Sequence, residues 1–211
     1  MQQPHTIPRR RIFLLSPAHC GGKRAQIVMS EKAEFALAQR LRAADGAPLG
    51  EVFSFVSGLY FRGKLAYAER FAQPPGDVPG ILVITPHRGL LSPGIAVTLT
   101  DMLDFAAVPV DLAEARYRLP LERAAQVLCD RIDGECDVVL LGSVATAKYT
   151  EILLSVFGER LLFPAEFVGR GDMSRGGLML RCADSGAELE YVKVAGALRH
   201  GPRPPKLEKR T

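Results

Sequence analysis

The chain has 211 residues, 47% hydrophobic and 24% charged, the balance of a folded domain rather than a disordered chain. That length suits one domain with a sizeable core, and no apolar run reaches the ~18 residues needed to span a bilayer. The net charge of +4 is unevenly placed: residues 1–24 hold five Lys/Arg and no acid, residues 199–211 hold five against Glu208, and the body between holds 17 basic residues against 22 acidic. Basic ends of this kind add weak, salt-sensitive contact with RNA or DNA without defining a nucleic-acid groove.

Residues 1–10 are polar and read as a loose N-terminal segment. The arginines at 9–11 precede only a short apolar stretch with no small-residue cleavage site, so no targeting segment is read and a cytoplasmic location is expected. Arg11–Ser16 is a short apolar run halted by Pro17, which predicts a buried strand. After the loop Pro17-Ala-His-Cys-Gly-Gly-Lys23, Ser30 offers an N-cap with Glu31 in the first turn. The Ala33, Leu37, Leu41 spacing then predicts a helix ending near Gly46. Residues 49–72 read as two helical pieces broken at Ser57-Gly58.

Gly80–Thr85 predicts a second buried strand, stopped at Pro86 and followed by His87-Arg88-Gly89-Leu90. Residues 91–118 show no clear period. Leu121, Ala124, Ala125, Leu128 and Ile132 make 119–132 the clearest helix. Asp137–Leu141 predicts a third strand ended by Gly142-Ser143, and Tyr149, Ile152, Leu153, Val156 and Phe157 mark another helical stripe. Arg160–Phe163 predicts a fourth strand, ended by Pro164. Residues 178–183 and 188–194 flank Asp184-Ser185-Gly186, a hairpin signal. The proline-rich, basic 199–211 reads as a disordered tail.

Apolar strands alternating with helices predict one α/β domain over 11–198. It is a three-layer sandwich on a mostly parallel central sheet of four or more strands, with a C-terminal β-hairpin. Ligands of such sheets bind beyond the carboxyl ends of the strands. The segments after the strands should therefore converge on one edge.

The Gly169–Gly177 run, Gly-Arg-Gly-Asp-Met-Ser-Arg-Gly-Gly, is the strongest local signal. Gly169 and Gly171 let backbone approach a ligand, Arg170 and Arg175 offer planar forks for phosphate or carboxylate, and Ser174 adds a hydroxyl. Asp172 is a candidate general base; the competing reading is a turn before the hairpin, with Asp172 satisfied by its own loop. His19, Gly21, Gly22 and Lys23 form a second anion-binding candidate before a helix, although the P-loop spacing is absent. Cys20 is a candidate nucleophile if Lys23 and His19 lower its pKa, and otherwise an inert buried thiol. His87 is placed for proton transfer or for capping a strand end, with Arg88 beside it. Tyr60 could stack on a base or belong to the core edge, and Gly142 and Ser143 complete the rim. Asp101 and Asp104, at i and i+3, either place two carboxylates on one helical face or are merely solvated or capping. The four cysteines show no zinc spacing and read as free thiols, so neither a metal nor a cofactor is expected.

Several of these segments together resemble a known group. They are the strand into a Cys-Gly-Lys loop, Leu59-Tyr60-Phe61 with Lys64 and Tyr67-Ala68, and the strand into Arg88-Gly89-Leu90 and Pro93. Leu141-Gly142, Tyr149, Phe163-Pro164 and Gly169 complete the set. Across roughly residues 12–177 the chain resembles a family of small, uncharacterised bacterial α/β domains. These are similar in turn to the uracil-DNA-glycosylase-like domain of archaeosine-type tRNA-modifying enzymes. The resemblance implies a three-layer α/β fold and a setting in nucleic-acid or deazapurine metabolism. His87 and the full Gly169–Gly177 run depart from the family pattern. The Asp-Pro-Tyr and His-Pro-Ser signatures of active uracil glycosylases are absent, so base excision is not implied. The expectation is a protein that binds or acts on an anionic small molecule of nucleotide, nucleoside or nucleic-acid-base type. The alternative is a non-catalytic module that binds nucleic acid or a partner protein.

Overall fold

A computed structural model describes residues 10–205 and 207. In chain order its elements begin with β1 (Arg11–Leu15), α1 (Lys23–Met29), α2 (Ala36–Arg42), β2 (Ala47–Pro48), α3 (Leu49–Ser57) and α4 (Leu59–Phe71). There follow β3 (Ile81–Ile84), β4 (Leu90–Leu91), β5 (Ala96–Val97), α5 (Leu99–Ala107) and α6 (Ala115–Arg131). The chain continues through β6 (Asp137–Leu141), α7 (Ala147–Phe157), β7 (Leu161–Pro164), α8 (Asp172–Ser185) and β8 (Tyr191–Lys193). The six-stranded sheet runs β4-β3-β1-β6-β7-β8; its four central strands are parallel, and β4 and β8 are antiparallel edges. The strands β2 and β5 pair separately.

The strand sequences explain this order. Four of the five residues of β1 and all of those in β6 and β7 are buried, so these segments are continuous apolar runs covered on both faces. One helical group, α1, α3, α4 and α8, packs on the sheet through α4 against β1. A second, α6 and α7, packs through α6 on β4 and α7 on β7.

The tightest helix contact is between α4 and α8. A Cβ on Gly63 would lie 2.5 Å from the Gly176 carbonyl oxygen, and one on Gly176 would lie 2.7 Å from that of Leu59. Real Cβ atoms do not come that close, so only glycine at both positions lets the two backbones touch. This contact sets Tyr60 and Lys64 of α4 beside the first turn of α8.

Several elements differ from expectation. The helix expected from a Ser30 N-cap is the shorter α2, and the loop before Ser30 holds a further helix, α1. Ser30 instead closes α1, its N–H donating to the Ile27 carbonyl (3.3 Å), and α2 starts after Phe35. The unreadable stretch contains α5, started by a reciprocal cap between Thr98 and Asp101, so Asp101 is a capping carboxylate. The clear helix starts earlier than its apolar stripe, at Ala115, and runs through Pro120.

The Gly169–Gly177 run is not one loop, because α8 begins at Asp172 and continues to Ser185. Gly186 (φ 71°) is its left-handed cap, donating to the Cys182 carbonyl at 2.9 Å. A helix C-cap and a hairpin turn both favour glycine at positive φ, which is why Asp184-Ser185-Gly186 signals either. The antiparallel C-terminal pair of the sheet is β7 with β8, not 178–183 with 188–194. Residues 1–9, 206 and 208–211 of the two expected end segments lie outside the described residues. From 199 to 205 the chain lies against the fold, with Arg199 donating to the Thr150 hydroxyl (3.3 Å) and Pro202 beside Gly169.

Candidate functional site

β1 and β6 end in register, Leu15 opposite Leu141, and the Ser16 N–H extends the ladder to the Leu141 carbonyl (3.1 Å). The chain therefore leaves both strands on one edge, and a cavity of about 500 Å³ opens there. Ser16 to Gly21 after β1, Pro86 after β3 and Ser143 after β6 line it. Ser57 from the end of α3, Tyr60 from α4, Phe105–Val110 from the end of α5 and beyond, Lys148 and Tyr149 from α7, and Asp172 from α8 complete the wall. The wall thus joins an apolar stretch to separated polar groups, the usual make-up of a small-molecule site.

Beneath the cavity lies Lys64, with no solvent exposure. Its Nζ donates to the Ser16 carbonyl (2.6 Å) and Oγ (3.0 Å) and sits 4.5 Å and 4.8 Å from the centres of the Tyr60 and Phe61 rings. Burial lowers its pKa from the ordinary 10.5 to about 7, opposed by the Asp172 carboxylate. Ser16 is 5% exposed and packs on Gly142, where any Cβ would come within 2.9 Å of the Ser16 Cβ. The Tyr60 ring is buried and its hydroxyl has no hydrogen-bond partner. Burial pushes that phenol up to about 12, while Arg175 and Ser16 lie near enough to pull it the other way. Burial likewise raises the Tyr149 pKa.

Of the sequence candidates, His19, Cys20, Gly21, Tyr60, Ser143 and Asp172 come together around this cavity. Gly22 and Lys23 start α1 outside its lining, Lys23 exposed. Cys20 is 3% exposed, donates to the Ala18 carbonyl (3.5 Å) and is pushed up to about 12 by burial, so it is a thiol and not a thiolate nucleophile. His87 stacks edge-on against Phe105 (centroids 5.2 Å apart), its Nδ1 buried without a partner, behind the wall rather than on it. Arg88 points to Asp101 (2.9 Å) and lines a different cavity, between β4 and α6.

The arginines of the glycine-rich run do not converge on the site either. Arg175 is 6% exposed and spends Nε and Nη2 on the Phe167 carbonyl (3.2 and 2.9 Å), with Nη1 3.4 Å from Asp172. It locks the start of α8 instead of reaching for an anion. Arg170, with Gly171 and Ser174, lines a small separate cavity against Arg203 and Pro205, and donates to the Ser174 hydroxyl (3.3 Å). Gly169 packs on Pro202 and Gly142 on Ser16. Among the described residues no group of three or more His, Cys, Asp or Glu is placed to hold a metal.

Ser16 and Lys64 were missed as site residues. The signal for Lys64 is present: it lies four residues after Tyr60 and three before Tyr67, so an α-helix puts it on the same buried stripe. Ser16, the last polar residue before Pro17 ends β1, carries no distinctive spacing.

No family model matches the chain, and no curated protein or solved structure matches it. No described helix is long and apolar enough to cross a membrane.

Proposed function

We propose that this chain binds a nucleoside, nucleotide or nucleic-acid base in the cavity at the carboxyl edge of its parallel strands. The supporting observation is the cavity of about 500 Å³ beyond the carboxyl ends of the strands, lined by Tyr60, whose buried hydroxyl has no hydrogen-bond partner. The volume suits a molecule of nucleoside size. The apolar 105–110 stretch offers a face for a base, while His19 and Lys148 suit an anionic group. The resemblance to uracil-DNA-glycosylase-like domains points to the same ligand class. A cytoplasmic setting belongs to this reading, since all four cysteines are free, as reducing compartments keep them.

A thermal-shift screen over nucleosides, nucleotides, deazapurines and sugar phosphates tests it. A ligand at about 100 times its Kd stabilises the fold by about 2.7 kcal/mol. The shift should shrink in Tyr60→Phe and Lys148→Ala and persist in Arg170→Ala, whose side chain belongs to another cavity. A screen without hits, or hits that ignore both cavity variants, would overturn the proposal.

A further inference from the structure

We propose that Ser16 and Lys64 are a nucleophile–base pair for acyl transfer, with the Tyr60 hydroxyl as the donor that holds the developing oxyanion. The substrate class is an ester or amide small enough for the cavity, and the co-reactant is water. The inference stands apart from the ligand class proposed above, since it follows from Ser16 and Tyr60 on the cavity lining and Lys64 buried behind them.

Geometry carries it. Ser16 Oγ lies 3.0 Å from Lys64 Nζ, within the reach of a proton transfer, and Ser16 lines the cavity. The hydrogen bonds around Nζ suit a neutral amine. An uncharged amine has two N–H groups and one lone pair. Its two N–H groups match the two bonds that Nζ donates, to the Ser16 carbonyl at 2.6 Å and to Ser16 Oγ at 3.0 Å, and the lone pair is what takes the Ser16 proton in the reaction. Tyr60, one helical turn before Lys64, lines the same cavity, and its buried hydroxyl has no hydrogen-bond partner and lies near Ser16; a preorganised donor beside the nucleophile is the usual stabiliser of a tetrahedral intermediate. Serine–lysine pairs recur on unrelated folds as variants of the serine–histidine arrangement.

The step balances as follows. Ser16 Oγ bonds to the substrate carbonyl carbon while its proton passes to Lys64 Nζ, and the carbonyl oxygen, now an oxyanion, accepts from Tyr60. The bond from carbon to the leaving alcohol or amine breaks, and that group takes the proton from Lys64. Water then attacks the acyl carbon, gives its proton to Lys64, and leaves as the acid when the C–Oγ bond breaks and Lys64 returns a proton to Ser16. Nothing is oxidised or reduced.

The charged group acting on Lys64 is Asp172 from α8, and the Tyr60 ring of its own helix lies against Nζ; Arg175 of α8 and Tyr149 of α7 face Tyr60. Asp172 favours the protonated amine, and burial favours the neutral one.

The test is labelling of the folded, full-length protein with a fluorophosphonate probe, read by intact mass and peptide mapping. One adduct on Ser16 is expected, none in Ser16→Ala, with labelling slowed at least about 100-fold in Lys64→Met and in Tyr60→Phe. The wild-type labelling rate should rise with pH through about 7, as Lys64 loses its proton. If Lys64→Met does not fold, the wild-type pH profile and Tyr60→Phe decide. No adduct on Ser16, a flat pH profile, or labelling as fast in folded Lys64→Met as in the wild type would each overturn the pair.

Discussion

A lysine without solvent contact is costly unless its charge is shed or matched. Here an ammonium's three donors would meet two acceptors on Ser16 and otherwise only aromatic rings. The folded state therefore holds fewer protons on Lys64 than the unfolded chain between about pH 7 and 10.5. Stability due to this group rises with pH across that window and is flat below it. Relative to Lys64→Met, the wild type should gain roughly 2–3 kcal/mol between pH 7 and pH 9, read by urea unfolding at both values. Cys20 acts in the opposite sense only above its ordinary 9.0, because its folded pKa is raised, so it does not enter that interval. Arg175 makes a different residue-scale claim. Its buried fork on the Phe167 carbonyl predicts that Arg175→Lys, which cannot donate in that geometry, destabilises by about 1–3 kcal/mol in the same assay.

Between elements, the α4–α8 contact decides whether a site exists. The helices carry Lys64 and Tyr60 on one side and Asp172 and Arg175 on the other, and the Gly63–Gly176 contact sets their separation. Gly63→Ala should cost about 1–3 kcal/mol by forcing backbones apart, seen as a lowered Tm. Gly134→Ala, where an added Cβ meets nothing within 4 Å, is the control and should leave Tm nearly unchanged. The same scale explains the misread C-terminal segment. A helix ending at Gly186 and a hairpin turning there share one local signal, and only pairing of β8 with β7 chooses between them.

Across the whole molecule, charge and site are separated. Apart from residues 16–21, the cavity is lined by the mildly acidic body, and none of the Lys/Arg of the two basic ends lines it. Deleting residues 200–211 should therefore flatten the salt dependence of any polyanion binding, measured by fluorescence anisotropy of a labelled oligonucleotide. It should leave ligand shifts at the cavity intact. The sequence by itself determined the class of the fold, because the apolar runs of β1, β3, β6 and β7 and the stripes of α6 and α7 are local patterns whose period reports burial. It also placed the loops after β1 and β6 on one edge of the sheet. Only the tertiary structure decided which polar groups face the cavity. Arg175 turns inward because the Phe167 carbonyl is in reach, Arg170 turns to Ser174 and the 203–205 segment, and Lys64 reaches Ser16 from 48 residues away. Side-chain direction depends on partners distant in the chain, and no periodicity within a segment encodes them.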